Sequence, residues 1–393
     1  MRRPTLFAAI LAFFALTTGV SPASAQVALG PDASSILTWT PQQQSDGYRN
    51  IEGRFKVHTI KRGPKVHPLP MAPKQIAPTF EYGGKTWTVD DYMAAYKVSG
   101  ILVLKNGQIV LERYAMGRKP QDRWTSFSVA KSVTSTLVGA AIQDGKIAGL
   151  SAPITDYVPE LKGSAYDGVT VRQLLMMSSG VKWNEDYVDP NSDVAQSTQL
   201  KVEPGVNPLV RYMSRLPRAH EPGTTFNYNT GETDLVGIMV SNAVGKSLAD
   251  YASEKLWKPY GMGRDAIWMV DPGNRERGGC CISMTLRDYG RVGQFILDGG
   301  MAQGKPVLPD GWVAAATSTQ ITNGIPTGYG YFWWMRPYGS YQAVGIFGQS
   351  IDTFREDRII VVTNAAWPSA TGRELSAARA AFINAARAAA KAL

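Results

Sequence analysis

The hydrophobic pattern of the first clearly structured part of the chain changes from strand-like runs to a long helical stretch. Residues 98–104 and 108–114 are apolar runs of strand length, and Asn106-Gly107 between them is typical of a two-residue hairpin turn. Residues 128–143 have helical spacing, with small and apolar residues on nearly every side. Because a helix without a polar face is usually buried, this stretch predicts a core helix.

Further along the chain, shorter helical stretches are separated by loops rich in proline, glycine and aspartate, and strands return before the end. The predicted helices cover residues 171–177, 234–244, 248–256, 283–297 and 374–393, and the predicted strands cover residues 329–335, 341–346 and 358–363. This order predicts an α/β protein of the α+β type. Its antiparallel sheet takes strands from both ends of the chain and is flanked by helices, with an all-helical region inserted. Trp333 and Trp334 are both interpreted as core residues.

The first 25 residues have the pattern of a secretory signal peptide. Arg2 and Arg3 precede an apolar run at residues 6–15, and Ala23-Ser24-Ala25 forms a small-residue cleavage site. The apolar run is too short to span about 30 Å of hydrocarbon as a helix. The sequence therefore predicts an exported protein, periplasmic or secreted, with no membrane span once the signal peptide is removed.

The remaining chain is predicted to form an extension and two structural units. Residues 26–75 are rich in proline, glutamine and glycine and predict an irregular N-terminal extension. Residues 76–120 and 276–393 are predicted to form a sheet domain. Residues 121–275 are predicted to form a helical domain that carries the serine, lysine and tyrosine motifs described below.

Composition and charge narrow the classes of function. The 393 residues carry a formal net charge of +9, but the basic residues are scattered, which favours a soluble basic surface over a nucleic-acid site. The three histidines stand far apart and the two cysteines are adjacent, unlike the spaced ligands of zinc sites, so no metal or cofactor is predicted. A disulfide between Cys280 and Cys281 would close a very small ring. These cysteines are therefore interpreted as small buried residues in preference to a bonded pair.

Ser128 and Lys131, at the start of the predicted core helix, are a candidate catalytic pair. Positions i and i+3 share one face of a helix, so the Lys131 amine can reach the Ser128 oxygen. A serine hydroxyl needs a neighbouring base, and burial lowers the pKa of a lysine toward neutrality. The alternative is a lysine that extends from the helix to solvent. A second copy of the spacing, Ser179 to Lys182, contains Gly180 and is interpreted as a turn.

Tyr228 is the third candidate, because it lies in a turn-rich loop, residues 222–231, among small hydrogen-bonding residues. Together with residues 174–180 and with Gly278-Gly279 before residues 283–288, these motifs resemble the penicillin-recognising serine hydrolases. That group includes class C β-lactamases, DD-peptidases, related esterases and the 6-aminohexanoate-dimer hydrolases. The order and spacing of the motifs match over roughly residues 75–390, and the motifs are specific jointly although each is weak alone.

The resemblance implies a β-lactamase/transpeptidase-like fold with the active site where the sheet meets the helical domain. It implies Ser128 as nucleophile, Lys131 as its base partner and Tyr228 as the group that passes a proton to the leaving atom. Whether Lys131 or Tyr228 takes the first proton is left open by the sequence. The resemblance also implies an oxyanion hole made of the backbone N–H groups of Ser128 and Ile346.

Two departures from the family pattern bear on the substrate. The family's Tyr-x-Asn motif reads Tyr228-Asn229-Thr230, and its third motif falls on residues 343–345, where Ala343 replaces a cation. This pattern is similar to the 6-aminohexanoate-dimer hydrolase and esterase branch. The prediction is a hydrolase of small esters or amides that acts through an acyl-enzyme. The alternative is a β-lactamase, or a cell-wall protein of the DD-peptidase and penicillin-binding type. The oligomeric state is left open.

Residues 183–190 form a candidate substrate loop that combines aromatic and acidic side chains. In the 6-aminohexanoate-dimer hydrolases that the chain resembles, a loop of this kind closes over the substrate. The candidate residues are Trp183, Glu185, Asp186, Tyr187 and Asp189. A solvated surface loop is the alternative, since runs of acidic residues usually lie in solvent.

Overall fold

The computed structural model describes residues 36–205, 207–337 and 339–393, so the predicted signal peptide lies outside the described residues. The strands are β1 (Val57–Ile60), β2 (Phe80–Tyr82), β3 (Lys85–Trp87), β4 (Val98–Lys105), β5 (Gln108–Tyr114), β6 (Arg123–Thr125), β7 (Ala266–Met269), β8 (Ile282–Thr285), β9 (Met301–Ala302), β10 (Lys305–Pro306), β11 (Trp334–Arg336), β12 (Ser340–Gly345), β13 (Gln349–Phe354) and β14 (Ile359–Ala365). The α-helices are α1 (Pro41–Gly47), α2 (Val89–Ala95), α3 (Val129–Gln143), α4 (Val171–Leu175), α5 (Asp193–Gln196), α6 (Pro208–Met213), α7 (Thr230–Val244), α8 (Leu248–Ala252), α9 (Leu286–Leu297), α10 (Trp312–Ala316) and α11 (Arg373–Lys391). A π-helical segment, Ser253–Gly261, continues α8.

A six-stranded antiparallel sheet organises the fold, with the strand order β11-β12-β13-β14-β4-β5. The β4-β5 hairpin comes from the first third of the chain and pairs through β4 with β14 near the C-terminus. The sheet therefore combines both ends of the chain, and helices cover it on both sides. The predicted fold class, antiparallel sheet flanked by helices, is confirmed.

The two faces of the sheet pack against different helices because successive residues of a strand point in opposite directions. Leu102 and Leu104 belong to the core that includes α9, whereas Ile101 and Val103 belong to the core that includes α2 and α11. Helix α9 lies very close to the sheet. A Cβ atom at Gly290 would stand only 2.6 Å from Leu102 Cδ2, so a larger residue here would have to displace the Leu102 side chain.

A second sheet, with the order β1-β7-β8-β6, was not predicted from the sequence. Part of the extension predicted to be irregular forms α1 and β1. The helix predicted from residue 283 begins only at Leu286, because the preceding residues form β8 and pair with β6 and β7. Long-range pairing decides the structure here, since all four residues of β8 are buried. The domain boundaries proposed from the sequence stay a prediction.

Two other predicted elements are shorter than the pattern indicated. The strand expected at residues 329–335 is limited to β11, and the helix expected at residues 248–256 is α-helical only to Ala252. Helix α7 instead begins earlier than predicted. The Asn229 side chain caps it by accepting a hydrogen bond from the Glu232 N–H, 2.9 Å away. This cap places Tyr228 directly before the helix.

Among the described helices, none is long and apolar enough to cross a membrane.

Candidate active site

Ser128 lies at a sharp bend between β6 and the first turn of α3. Phe127, just before it, has a φ of 44°, an unusual value for a residue with a bulky side chain. Phe127 and Val129 are buried, whereas Ser128 remains partly exposed. The bend therefore turns the serine hydroxyl out of the core and into the space between the main sheet and the helices.

The end of β12 approaches this bend closely. A Cβ atom at Gly345 would stand 2.3 Å from the Ser126 carbonyl oxygen, so only glycine permits the contact. Ile346 follows at once and is partly exposed. Ser128 and Ile346 border the same cavities, which places the two residues predicted to supply an oxyanion hole beside each other.

Lys131 is buried one helical turn after Ser128, with only 2% of its surface exposed. Its Nζ lies 3.1 Å from Ser128 Oγ, 2.9 Å from Thr230 Oγ1 and 2.8 Å from the Gly279 carbonyl oxygen. Burial lowers the pKa of Lys131 to about 8, although the charge of Glu185 acts in the opposite direction. The amine does not extend to solvent.

Thr230 connects Lys131 to the acid Glu185. Its hydroxyl donates to the Glu185 carboxylate, and its N–H donates to Glu185 Oε2 over 3.0 Å. The threonine hydroxyl must then use a lone pair to accept from Lys131. Thr230 stands where the family motif has an asparagine, and its hydroxyl supplies a contact to the lysine in place of the asparagine amide.

Asp234 and Arg277 are a buried pair that the sequence analysis did not identify. Their side chains form an ion pair of 2.8 Å, and Asp234 Oδ1 accepts the Gly279 N–H over 2.7 Å. Because the Gly279 carbonyl accepts from Lys131, this pair fixes one of the partners of the lysine.

Tyr228 lies against both Ser128 and Lys131. Its hydroxyl hydrogen-bonds to Ser128, and Lys131 Nζ lies 5.1 Å from the centre of its ring. Burial raises the pKa of Tyr228 well above its ordinary value, the Glu185 charge raises it further, and the hydrogen bond to Ser128 opposes both. The phenol therefore stays protonated at neutral pH.

The interpretation of Trp333 and Trp334 as core residues is right for the first and wrong for the second. Trp333 is buried, but Trp334 is partly exposed and lines the cavity at Ser128. The Trp334 ring centre lies 5.5 Å from that of Tyr228. Adjacent residues of a strand face opposite sides, and this rule could have separated the two tryptophans.

The candidate substrate loop divides into residues that face the site and residues that shape the loop. Glu185 and Tyr187 line the cavity at Ser128, and the Tyr187 hydroxyl donates to Glu185 Oε1 over 2.8 Å. Trp183 is buried and its indole N–H donates to Glu185. Asp186 and Asp189 instead accept the backbone N–H groups of Val188 and Asn191, each over 2.8 Å.

Cys280 and Cys281 form a disulfide in the structure, whereas the sequence analysis favoured two unbonded residues. Cys281 has a φ of 69°, in the left-handed region that residues other than glycine seldom adopt. Cys280 lines the larger cavity beside Ser128. The pair therefore contributes to the wall of the site.

The second serine-lysine spacing is not a second site. Gly180 has a φ of 77°, as expected for a turn, and Lys182 is exposed. The Ser179 hydroxyl donates to Glu232, which is 1% exposed and also accepts from the Tyr166 hydroxyl over 3.3 Å. Burial raises the pKa of Glu232 to about 8, and the hydrogen bonds from Ser179 and Tyr166 oppose it. Glu232 is therefore a neutral acid in the folded protein below that pH.

Replacing Glu232 by glutamine should make the stability of the protein less dependent on pH. The folded protein keeps a proton on Glu232 that the unfolded chain releases above its ordinary pKa of 4.5. The wild-type free energy of unfolding should therefore fall as the pH rises from 4.5 to about 8, by on the order of a few kcal/mol. Urea unfolding at pH 5 and pH 8 measures the difference. The exposed Glu160→Gln variant is the control, and equal pH dependence in both variants would contradict the prediction.

Two cavities meet at Ser128. The larger has a volume of about 620 Å³ and reaches the N-terminal residues Ile36 and Leu37. The smaller has a volume of about 270 Å³ and is bordered by Tyr228, Trp334 and helix α11. Within the described ranges, no group of three or more histidine, cysteine, aspartate or glutamate side chains could hold a metal ion.

The fold and the comparisons with known proteins define a serine hydrolase of the β-lactamase fold. The chain belongs to the β-lactamase family, whose sequence profile matches residues 88–385. It is 34% identical over 283 residues to 6-aminohexanoate-dimer hydrolase from Paenarthrobacter ureafaciens, which covers 68% of this chain and 72% of that protein. The predicted resemblance and the predicted enzyme class are confirmed.

Solved structures agree with this assignment of the fold. A candidate 6-aminohexanoate-dimer hydrolase from Bacillus anthracis superposes with a TM-score of 0.78 at 22% identity, covering 88% of this chain and 94% of that one. A family VIII carboxylesterase superposes with a TM-score of 0.57 at 17% identity, covering 75% of this chain and 96% of that one.

Proposed function

We propose that this protein hydrolyses carboxylic esters or amides of small substrates through an acyl-enzyme formed on Ser128. The observation that carries the proposal is the buried Lys131 amine, 3.1 Å from the Ser128 oxygen, with a pKa lowered to about 8. The similarity to a relative named 6-aminohexanoate-dimer hydrolase supports the proposal that amides are among the substrates.

Lys131 is the group that we assign to take the first proton. A neutral lysine has two N–H bonds and one lone pair. The Gly279 carbonyl only accepts, and the Thr230 hydroxyl already donates to Glu185, so these two partners use the two N–H bonds. The lone pair then points to Ser128. The raised pKa of Tyr228 suits a proton donor better than a base.

The reaction then follows two steps. Ser128 Oγ attacks the carbonyl carbon, its proton passes to Lys131, and the backbone N–H groups of Ser128 and Ile346 stabilise the oxyanion. Donors placed in this way typically contribute about 3–4 kcal/mol each. Tyr228 gives a proton to the leaving oxygen or nitrogen and recovers one from Lys131. Water then attacks the acyl-enzyme, which releases the carboxylic acid and restores Ser128.

The protein should hydrolyse p-nitrophenyl butyrate far more efficiently than the β-lactam nitrocefin. Ala343 is buried on the side of β12 away from the site, and Val344 faces the site, so this strand offers no cation to a β-lactam carboxylate. Measuring kcat/KM for both compounds distinguishes an ester or amide hydrolase from a β-lactamase or penicillin-binding protein. A linear amide dimer and a D-Ala-D-Ala peptide are measured in the same assay series. Nitrocefin hydrolysis as efficient as ester hydrolysis would favour the β-lactamase or penicillin-binding alternative.

Export is part of the proposal and rests on the N-terminal sequence alone. Expression of the full chain in a bacterial host should give an extracytoplasmic protein whose first residue is Gln26. Mass spectrometry of the purified N-terminus measures this, and an intact Met1 in the cytoplasmic fraction would contradict it.

A further inference from the structure

Tyr48, from the segment before the main sheet, packs behind the two residues proposed to form the oxyanion hole. It follows α1 directly and its side chain is completely buried. Its ring centre lies 5.1 Å from that of Phe127 and 6.1 Å from that of Phe347. Phe127 precedes Ser128 in the chain and Phe347 follows Ile346. One aromatic side chain therefore packs against a neighbour of each proposed N–H donor.

Both phenylalanines adopt an unfavourable backbone conformation. Phe127 has a φ of 44° and Phe347 a φ of 59°, in the left-handed region that residues with large side chains seldom adopt. A conformation of this kind persists where the surrounding packing holds it in place. The two phenylalanine rings also pack on each other, with centres 5.2 Å apart. Tyr48 completes a cluster of three rings, so its loss would remove part of the packing that holds both bends.

The segment that carries Tyr48 is attached to the body of the protein at several points. The Tyr48 carbonyl oxygen accepts the Thr125 N–H over 3.0 Å, on β6, the strand just before the nucleophile. Glu52 forms an ion pair with Arg123 of the same strand, and β1 pairs with β7. Residues 36–60 precede the region that matches the family profile, yet these contacts fix them against the site.

We infer that Tyr48 is a positioning residue for the oxyanion hole. Its ring holds Phe127 and Phe347, and each of these in turn fixes the direction of one backbone N–H bond. The N–H groups of Ser128 and Ile346 must converge on the oxyanion that forms when the serine attacks. Tyr48 is not among the described residues that line the two cavities at Ser128, so it acts through its neighbours. The inference rests on the proposed function and adds a residue that supports it.

An ester and its thiono analogue distinguish an impaired oxyanion hole from general damage to the protein. In the thiono analogue of p-nitrophenyl butyrate, sulfur replaces the carbonyl oxygen. Sulfur is a weak hydrogen-bond acceptor and gains little from the two N–H donors. The ratio of kcat/KM for the ester to that for the thionoester, each divided by its spontaneous rate, therefore measures the contribution of the donors. This ratio does not depend on the folded fraction, because both rates scale with the same concentration of active enzyme.

Tyr48→Leu and Tyr48→Met both remove the ring. Each should lower kcat for the ester by about tenfold to 10²-fold with little change in KM, and each should lower the ester-to-thionoester ratio. Tyr48→Phe keeps the ring and should retain the wild-type ratio. Tyr92→Leu is the matched control, since Tyr92 is a buried tyrosine of the same core that packs on Phe80 and Phe382. It should lower thermal stability and keep the ratio.

The outcomes separate the inference from the proposed function. If both variants without the ring keep the wild-type ratio or fail to fold, or if Tyr92→Leu lowers the ratio equally, the role of Tyr48 is structural and the inference is wrong. A wild-type protein that does not prefer the ester would also overturn it. In each case ester hydrolysis that is lost in Ser128→Ala would leave the proposed hydrolase in place. Ester hydrolysis by Ser128→Ala at the wild-type rate would overturn both.

Discussion

Replacing Ser128 by alanine should abolish ester hydrolysis and leave the fold intact. The change removes the proposed nucleophile but only one oxygen atom, from a partly exposed side chain whose partners are Lys131 and Tyr228. Loss of a nucleophilic serine typically lowers kcat by about 10⁶-fold. Initial rates with p-nitrophenyl butyrate and thermal unfolding followed by circular dichroism measure the two parts of the prediction.

Ser179 provides the matched control, because it begins the second serine-lysine spacing but hydrogen-bonds to Glu232. The Ser179→Ala variant should remain active. A fluorophosphonate probe should label the wild-type protein at Ser128 and should not label the Ser128→Ala variant. Labelling of Ser179, or normal turnover by Ser128→Ala, would show that the nucleophile has been misassigned.

The sequence predicted the main sheet and the core helix where local pattern and tertiary environment agree. The β4-β5 hairpin has strand-length apolar runs and an Asn-Gly turn, and α3 is apolar on nearly every side and buried. The second sheet lacked such a signal. Its strand β6 has three residues and pairs with β8, some 160 positions away, so no local period reveals it.

The candidate site shows the same division between local and distant contacts. The approach of Lys131 to Ser128 follows from helical spacing, and a sequence can reveal it. The contacts of Lys131 with Thr230 and Gly279 depend on how α7 and the segment before β8 pack onto α3. The buried pair of Asp234 and Arg277 has no local signal either, because the two residues are 43 positions apart in the chain.

Replacing Lys131 by methionine should lower kcat by at least about 10³-fold, and Tyr228→Phe should lower it by about 10²–10⁴-fold, with little change in KM.

The pH dependence of wild-type activity should follow the protonation of the Lys131 amine. Since burial lowers the pKa of Lys131 to about 8, only about a tenth of the amine is neutral at pH 7. The kcat/KM of the wild-type protein should therefore rise with pH and level off above pH 8, once the rate of spontaneous ester hydrolysis has been subtracted at each pH.

The Lys131→Arg variant distinguishes two possible roles of Lys131, that of a base and that of a fixed positive charge. Arginine keeps the charge but does not lose its proton at accessible pH, so it cannot accept the proton of Ser128. If Lys131 is the base, the arginine variant should be about as inactive as the methionine variant, and the rise in activity toward pH 8 should disappear in both. If Lys131 acts only by its charge, Lys131→Arg should retain most of its activity and Lys131→Met should not. That result would transfer the role of first base to Tyr228, whose raised pKa would then have to fall when substrate binds.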